Sequence, residues 1–356
     1  MYEQLKSLLY LAEPEWAHEH TLLLAQGLSH TKTGPWLADF FWGYEDDRLS
    51  VEIGGLVFPN PVGLAAGFDK DGVAIGLLEA VGFGAIEVGT LTPKPQLGNP
   101  QPRLFRLVED KALINRMGFN NGGIDRFVNR VSGQTRKRPL GVNLGKNKDT
   151  PNEQAGADYC YGLEKTYDLG DYFTINISSP NTVGLRALQE EKSLLPLLQE
   201  ITAKRDHLAR FSGKRKPLWL KVAPDLSAKE MEVICQIALS LKIDALVVSN
   251  TTLERPALAD LNRSQTGGLS GAPLTAKADQ ALDWAFGYTH GQIPLVGVGG
   301  IMNAAQALRK FELGASFVQV YSGLIFSGPG LVKQIKEGLI ASLNRERLPR
   351  LPKRVV

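Results

Sequence analysis

Eight short apolar runs recur along this chain, each followed by Gly, Asn, Ser or Thr and then a helix-like stretch. They occupy residues 62–66, 85–89, 140–144, 172–177, 218–222, 245–249, 294–298 and 316–320. Near-continuous apolar runs separated by helical segments mark parallel strands buried on both faces. Eight such units predict an α/β fold of the closed (β/α)8 barrel type; an open doubly wound sheet is the other arrangement this rhythm permits. The 356 residues suit one barrel of roughly 250 residues plus an extension. Two shorter runs, 51–53 and 56–58, precede the first unit and predict a hairpin plugging the barrel's bottom.

Residues 1–45 lack this rhythm. They carry Trp16, Trp36 and Trp42 together with His18, His20 and His30. Leu5, Leu8, Leu9 and Ala12 fall at helical spacing, as do Ala17, Thr21 and Leu24, and Pro14 sits where a second helix can begin. Gly34-Pro35 and Gly43 break the pattern afterwards. The expectation is a small helical hairpin with a wide apolar face. It serves either as a docking pair covering the barrel or as a platform at a membrane interface, where such helices pair an apolar face with Trp. The domains expected are a helical extension over 1–45 and the barrel over 46–356.

Charge and composition narrow the function. A net charge of +3, without a basic stripe interleaved with aromatics, argues against nucleic acid. Cys160 and Cys235 lie far apart, with no metal or iron–sulfur spacing and no disulfide framework, so a reducing cytosolic face is expected. No apolar run reaches the roughly 18 residues that span a bilayer. Residues 1–11 carry Glu3 and Lys6 and show no secretory cleavage site.

A barrel gathers its chemistry at the C-terminal ends of its strands. There this sequence offers Gly67 and Lys70, Thr90, Asn143 and Lys146, then Asn176, Ser178, Ser179 and Asn181, then Lys221, and finally Ser249, Asn250 and Thr251. Amides, hydroxyls and lysines make a poor metal site, so none is expected, but they suit a planar polar heterocycle. Gly-rich elements at 267–271, 299–300 and 321–323 suit a phosphate held by backbone N–H groups. Lys221 suits the stabilisation of a reduced flavin anion.

Four motifs carry a more specific signal: Asn-Arg-Met-Gly-Phe-Asn-Asn at 115–121, Asn-Ile-Ser-Ser-Pro-Asn at 176–181, Ser-Asn-Thr-Thr at 249–252 and Gly-Val-Gly-Gly at 297–300. In combination they resemble the dihydroorotate dehydrogenases, flavoenzymes of pyrimidine synthesis, over essentially the whole chain. The N-terminal extension and the serine of the 176–181 loop resemble class 2, the membrane-associated, quinone-using branch. Class 1 uses a cysteine base, and neither cysteine falls in that loop.

The resemblance implies oxidation of dihydroorotate to orotate, with one FMN per chain and a membrane quinone as electron acceptor. It implies that Ala66, Gly67, Lys70, Thr90, Asn143, Asn176, Lys221, Ser249, Gly271, Gly300, Tyr321 and Ser322 contact FMN, the last three near its phosphate. Lys70, Asn115, Arg116, Met117, Gly118, Phe119, Asn176, Asn181, Asn250 and Thr251 would contact the substrate, with Ser179 as the base. No His lies in the matching loops to activate Ser179, so a proton relay through Thr182 and an ordered water, shielded by Phe119, is expected. His18, Arg106 and Tyr321 are candidates for the quinone head. A peripheral position on the cytoplasmic side of a bacterial inner membrane is implied, with no iron–sulfur partner subunit. Two other readings stand beside this one. Another FMN barrel would need a basic tRNA-binding surface or a histidine base, and a membrane scaffold on a decayed barrel would bind no flavin.

Overall fold

The computed structural model describes residues 2–351, without the side chains of Glu3, Leu5 and Leu8. The expected helical spacing of Leu5 and Leu8, and residues 352–356 of the expected barrel domain, therefore lie outside the described residues. Eight strands close into a barrel: β1 (Val62–Leu64), β2 (Ala85–Leu91), β3 (Leu140–Leu144), β4 (Tyr172–Asn176), β5 (Leu218–Val222), β6 (Ala245–Val248), β7 (Leu295–Val298) and β8 (Ala315–Val320). Each pairs in parallel with its sequence neighbours, and β8 returns to β1. Every residue of β2 through β7 is buried, the pattern that near-continuous apolar runs predict for strands covered on both faces. Closure rather than an open sheet is thus the outcome.

One end of the barrel is sealed. The strands Val51–Ile53 and Leu56–Phe58 form the expected antiparallel hairpin. Phe58 is fully buried, with its ring centroid 5.0 Å from Phe317 and 5.9 Å from both Tyr172 and Trp219. Tyr172 and Trp219 stack at 3.9 Å. Gly141 makes room for this layer, since a Cβ there would lie 2.2 Å from the Tyr172 ring. Aromatic packing at this end leaves the opposite, C-terminal end for ligands.

That end carries a small antiparallel sheet. Leu104–Leu107 pairs with Ala112–Asn115, which pairs with Gly268–Gly271. The glycine-rich 267–271 element is therefore largely a strand rather than a loop of free N–H donors. Its pairing of Gly268 with Asn115 ties two of the sequence motifs together.

The extension has three helices, not the expected two: α1 (Tyr2–Leu9), α2 (Pro14–Ser29) and α3 (Thr33–Trp42). Pro14 occupies the first turn of α2, as its position suggested. Gly34-Pro35 does not break the pattern but lies in the first turn of α3, where N–H groups have no intrahelical partner for proline to remove. A Cβ on Gly34 would sit 2.4 Å from the Leu28 carbonyl oxygen, so glycine permits the close α2–α3 turn. Gly43 does close α3. Among the described residues no helix is long and apolar enough to cross a membrane.

Candidate active site

The β2–β5 strand ends build a polar floor. Asn143 lies opposite Thr174 in the β3–β4 register, and Asn176 opposite Lys221 in the β4–β5 register. Thr90 donates to Asn143 Oδ1 at 2.6 Å, and the Asn176 amide donates to Thr90 Oγ1 at 2.9 Å and to Asn143 Oδ1 at 3.1 Å. The Asn143 amide in turn donates to Glu87 Oε1 at 2.8 Å. Further out, Asn176 Oδ1 accepts from the Ser178 hydroxyl at 2.9 Å, and Ser178 Oγ accepts from the Asn250 amide at 2.9 Å. One chain of hydrogen bonds thus runs from the barrel centre to the loop after β6.

Above this floor opens a cleft of about 1060 Å³, counting its solvent-open mouth. Ala66, Gly67, Lys70, Thr90, Asn115, Met117, Gly118, Phe119, Asn176, Ser179, Asn181, Lys221, Ser249, Asn250, Thr251, Gly271, Gly300, Tyr321 and Ser322 line it. Of the other residues singled out from sequence, Asn143 lies fully buried behind Thr90 and Asn176. Arg116 does not reach the cleft through its guanidinium, which bonds Gln265 at 2.9 Å and covers the Phe105 ring at 4.5 Å. Lys146 turns away to the Thr150 carbonyl at 2.8 Å. Thr182 is buried three residues beyond Ser179, outside the lining.

Ser179 is buried to 7% exposure, and its Oγ accepts the Asn181 backbone N–H at 3.2 Å. The Asn181 amide donates to Asn115 Oδ1 at 3.0 Å, joining the 176–181 and 115–121 motifs across the cleft. Two lysines face this space. Burial lowers the Lys221 ammonium from its usual pKa, and Glu87 opposes that shift. Lys70 falls to about 8, through burial first and then repulsion from Arg103, with Glu15 and Asp71 opposing. Its Nζ bonds the Asn120 side-chain oxygen. Among the described residues no cluster of His, Cys, Asp and Glu suits a metal ion.

The extension meets the cleft through aromatics. His18 packs edge-on against Phe68 at 5.2 Å, and Phe68 against Tyr321 at 5.8 Å. Burial and the Lys70 charge lower the His18 pKa to about 4, so the ring is neutral at ordinary pH. Arg106 lies over the Tyr10 ring at 4.4 Å, and its Nε is buried without a hydrogen-bond partner among the described residues. His18 and Arg106 are thus set outside the cleft, with Tyr321 on its wall.

The family model described as dihydroorotate dehydrogenase matches residues 48–343. The chain belongs to the dihydroorotate dehydrogenase family. Curated relatives named dihydroorotate dehydrogenase (quinone) include one from Xylella fastidiosa strain 9a5c, 47% identical over 341 residues, covering 95% of this chain and 96% of the relative. Another, from Acinetobacter baumannii strain ATCC 17978, is 47% identical over 345 residues, covering 95% and 99%. A crystal structure of DHODH from Eimeria tenella in complex with ferulenol superposes with a TM-score of 0.83 at 39% identity, covering 94% of this chain and 92% of that one.

Several residues around the site escaped the sequence reading. Glu87 and Gln319 are buried at its base, and the Gln319 amide donates to Glu87 at 2.7 Å. A lone charge inside the apolar run 85–89 was the available signal for Glu87. Leu104, Leu113 and Met302 supply apolar lining from outside the eight barrel strands. Glu15 and Arg103 form a buried ion pair that no local pattern announces.

Proposed function

We propose that this chain oxidises dihydroorotate to orotate on a bound FMN and passes the electrons to a quinone at a membrane surface. The observation that carries the reading is Ser179 on the cleft wall, flanked by Asn176 and Asn181, in a member of this family.

The residues fit a flavin. Among the described residues, Gln319 Oε1 and Thr251 Oγ1 are buried without hydrogen-bond partners, and both residues line the cleft. Gly271 and Gly300 have φ of 98° and 74°, backbone conformations that favour glycine, and both line the cleft along with Tyr321 and Ser322. Ala66, Gly67, Lys70, Thr90, Asn143, Asn176, Lys221, Ser249 and Gly271 would hold the ring system and ribityl chain, and Gly300, Tyr321 and Ser322 the phosphate end. FMN, when bound, supplies the acceptor for the hydride from substrate C6 and the carrier that returns its electrons to quinone.

The chain's own residues do the rest. Ser179 takes the proton from C5. A serine is a weak base, and the Asn181 N–H directed at Oγ favours its charged form. Thr182 continues the proton's route to solvent, and Phe119, buried to 5% exposure, covers it. Asn115, Asn176, Asn181 and Asn250 carry donors and acceptors for the substrate ring, with Lys70, Met117, Gly118 and Thr251 around them, while the Arg116 backbone is engaged by Arg103 and Asn99 and supports the loop from behind.

Residues 1–45 form the quinone-access extension, and 46–356 the catalytic barrel. Leu23, Leu24, Trp36 and Phe40 are all at least 60% exposed, which suits a peripheral membrane contact on the cytoplasmic face of a bacterial inner membrane. His18, Arg106 and Tyr321 are the residues assigned to the quinone head. Anaerobic mixing of the purified protein with dihydroorotate should bleach the flavin absorbance, and added quinone should restore it. An unbleached flavin would overturn the reading.

A further inference from the structure

We propose that Glu15 and Arg103 are a positioning pair through which helix α2 holds the loop bearing Asn181, so that the N-terminal extension sets substrate affinity as well as quinone access. The proposal rests on the reading of the cleft as the orotate site.

Glu15 lies in the first turn of α2 at 2% exposure, and Arg103 in the loop before the small sheet at 7%. The contact is a fork. Arg103 Nε donates to both Glu15 oxygens at 2.9 and 3.1 Å, and Nη2 donates to Oε1 at 2.7 Å. The remaining nitrogen, Nη1, donates to the carbonyls of Leu97 at 2.6 Å and Asn99 at 2.8 Å. A planar guanidinium fixed on one edge by a carboxylate fixes the direction of its other edge. The turn 97–99 is therefore held at an orientation dictated by α2.

That turn reaches the substrate loops. Asn99 donates its backbone N–H to the Met117 carbonyl at 3.0 Å. Its side-chain amide donates to the Arg116 carbonyl at 2.9 Å and the Asn181 carbonyl at 3.1 Å. Asn181 is bonded to Ser179 Oγ through its backbone and to Asn115 through its side chain. The turn has little slack: Gly98 has φ of 81°, and a Cβ there would lie 2.4 Å from the Met117 carbonyl oxygen. A buried ion pair is weak evidence for stability, because packed apolar residues often do as well. What an apolar pair would not do is aim two hydrogen bonds at the 97–99 carbonyls.

The test uses the full-length, flavin-loaded enzyme. Orotate is titrated against the flavin absorbance, and the rate of flavin reduction at saturating dihydroorotate is measured beside it. Glu15→Gln keeps the shape of the side chain and removes its charge; Asn99→Ala removes only the bridging amide. Both should raise the orotate Kd about tenfold or more while the saturated reduction rate changes much less, the split expected of lost positioning rather than lost chemistry. An unchanged orotate Kd in Glu15→Gln overturns the proposal, because the extension then serves the quinone side alone. Should Glu15→Gln fail to fold, an unchanged Kd in Asn99→Ala overturns it equally, and a raised Kd with an unaltered melting temperature supports it. Failure of the wild-type enzyme to respond to orotate at all would instead refute the reading of the site itself, and the proposal with it.

Discussion

Glu87 accepts a 2.8 Å hydrogen bond from the Asn143 amide at the centre of the barrel, and this contact fixes which way the floor amides point. A carboxylate only accepts, so Asn143 must turn its NH2 to Glu87 and its oxygen to Thr90 and Asn176. Glu87 also accepts from Tyr172, Thr174 and Gln319. In Glu87→Gln one of these donors meets an NH2 group. The expected cost is about 1–3 kcal/mol of stability, visible as a lower melting temperature. Glu87 is also the charge that opposes desolvation of Lys221, so the Lys221 ammonium should titrate lower still. Weaker FMN retention, followed by fluorescence of released flavin, is the second expected outcome. Unchanged melting and retention would show that the amide chain does not depend on Glu87.

Ser179→Ala should slow flavin reduction by dihydroorotate by about 10²–10⁴-fold, the range for loss of a positioned proton acceptor. Orotate binding should change far less, because Asn181 loses its Oγ contact but stays held by Asn115 and Asn99. Single-turnover absorbance at the flavin band measures the first effect and equilibrium titration the second. A near-normal reduction rate would remove Ser179 from the base role.

The barrel was legible because its signal is local and repeated. Each of the runs from 85–89 to 316–320 lies on an observed strand, since burial on both faces forces apolar residues at successive positions. The motifs at strand ends were legible for the same reason, as the topology brings strand ends together without further information. Three features were not. Gly34-Pro35 read as a break because its tolerance depends on the N–H groups of a first turn and on the approach of Leu28. Gly267–Gly271 read as a loop because strand character there comes from pairing with 112–115, more than 150 residues away in sequence. The direction of the Arg116 side chain is set by Gln265 and Phe105, partners that no spacing rule links to it.

The depressed pKa of His18 makes a pH prediction. Burial and Lys70 hold the folded value at about 4, against 6.5 for the unconstrained ring. Between these values the unfolded chain binds a proton that the folded protein refuses. The stability associated with the neutral ring is therefore complete above about pH 6.5 and declines as pH falls towards 4. Compared with wild type, His18→Gln should lose less melting temperature over that window, and the slopes should coincide above pH 7. Parallel melting profiles from pH 4 to 7 would mean that His18 is protonated as readily in the folded protein as in the unfolded chain.

Trp36 and Phe40 stack at 5.7 Å on the outer face of α3 and are 62% and 68% exposed. None of the described residues covers most of either ring, and leaving two aromatics in water forgoes roughly 1.5–3 kcal/mol for each such side chain that can be fully buried. Contact with a lipid interface would recover part of this, and the double substitution Trp36→Ser with Phe40→Ser should then weaken binding to anionic phospholipid vesicles at least about tenfold. The melting temperature should barely move, because the removed surface contributes little to the core. Vesicle sedimentation measures the binding. Equal sedimentation of the variant and wild-type proteins would show that this face does not engage lipid, and would shift the search for the membrane contact to Leu23, Leu24 and Leu28 on α2.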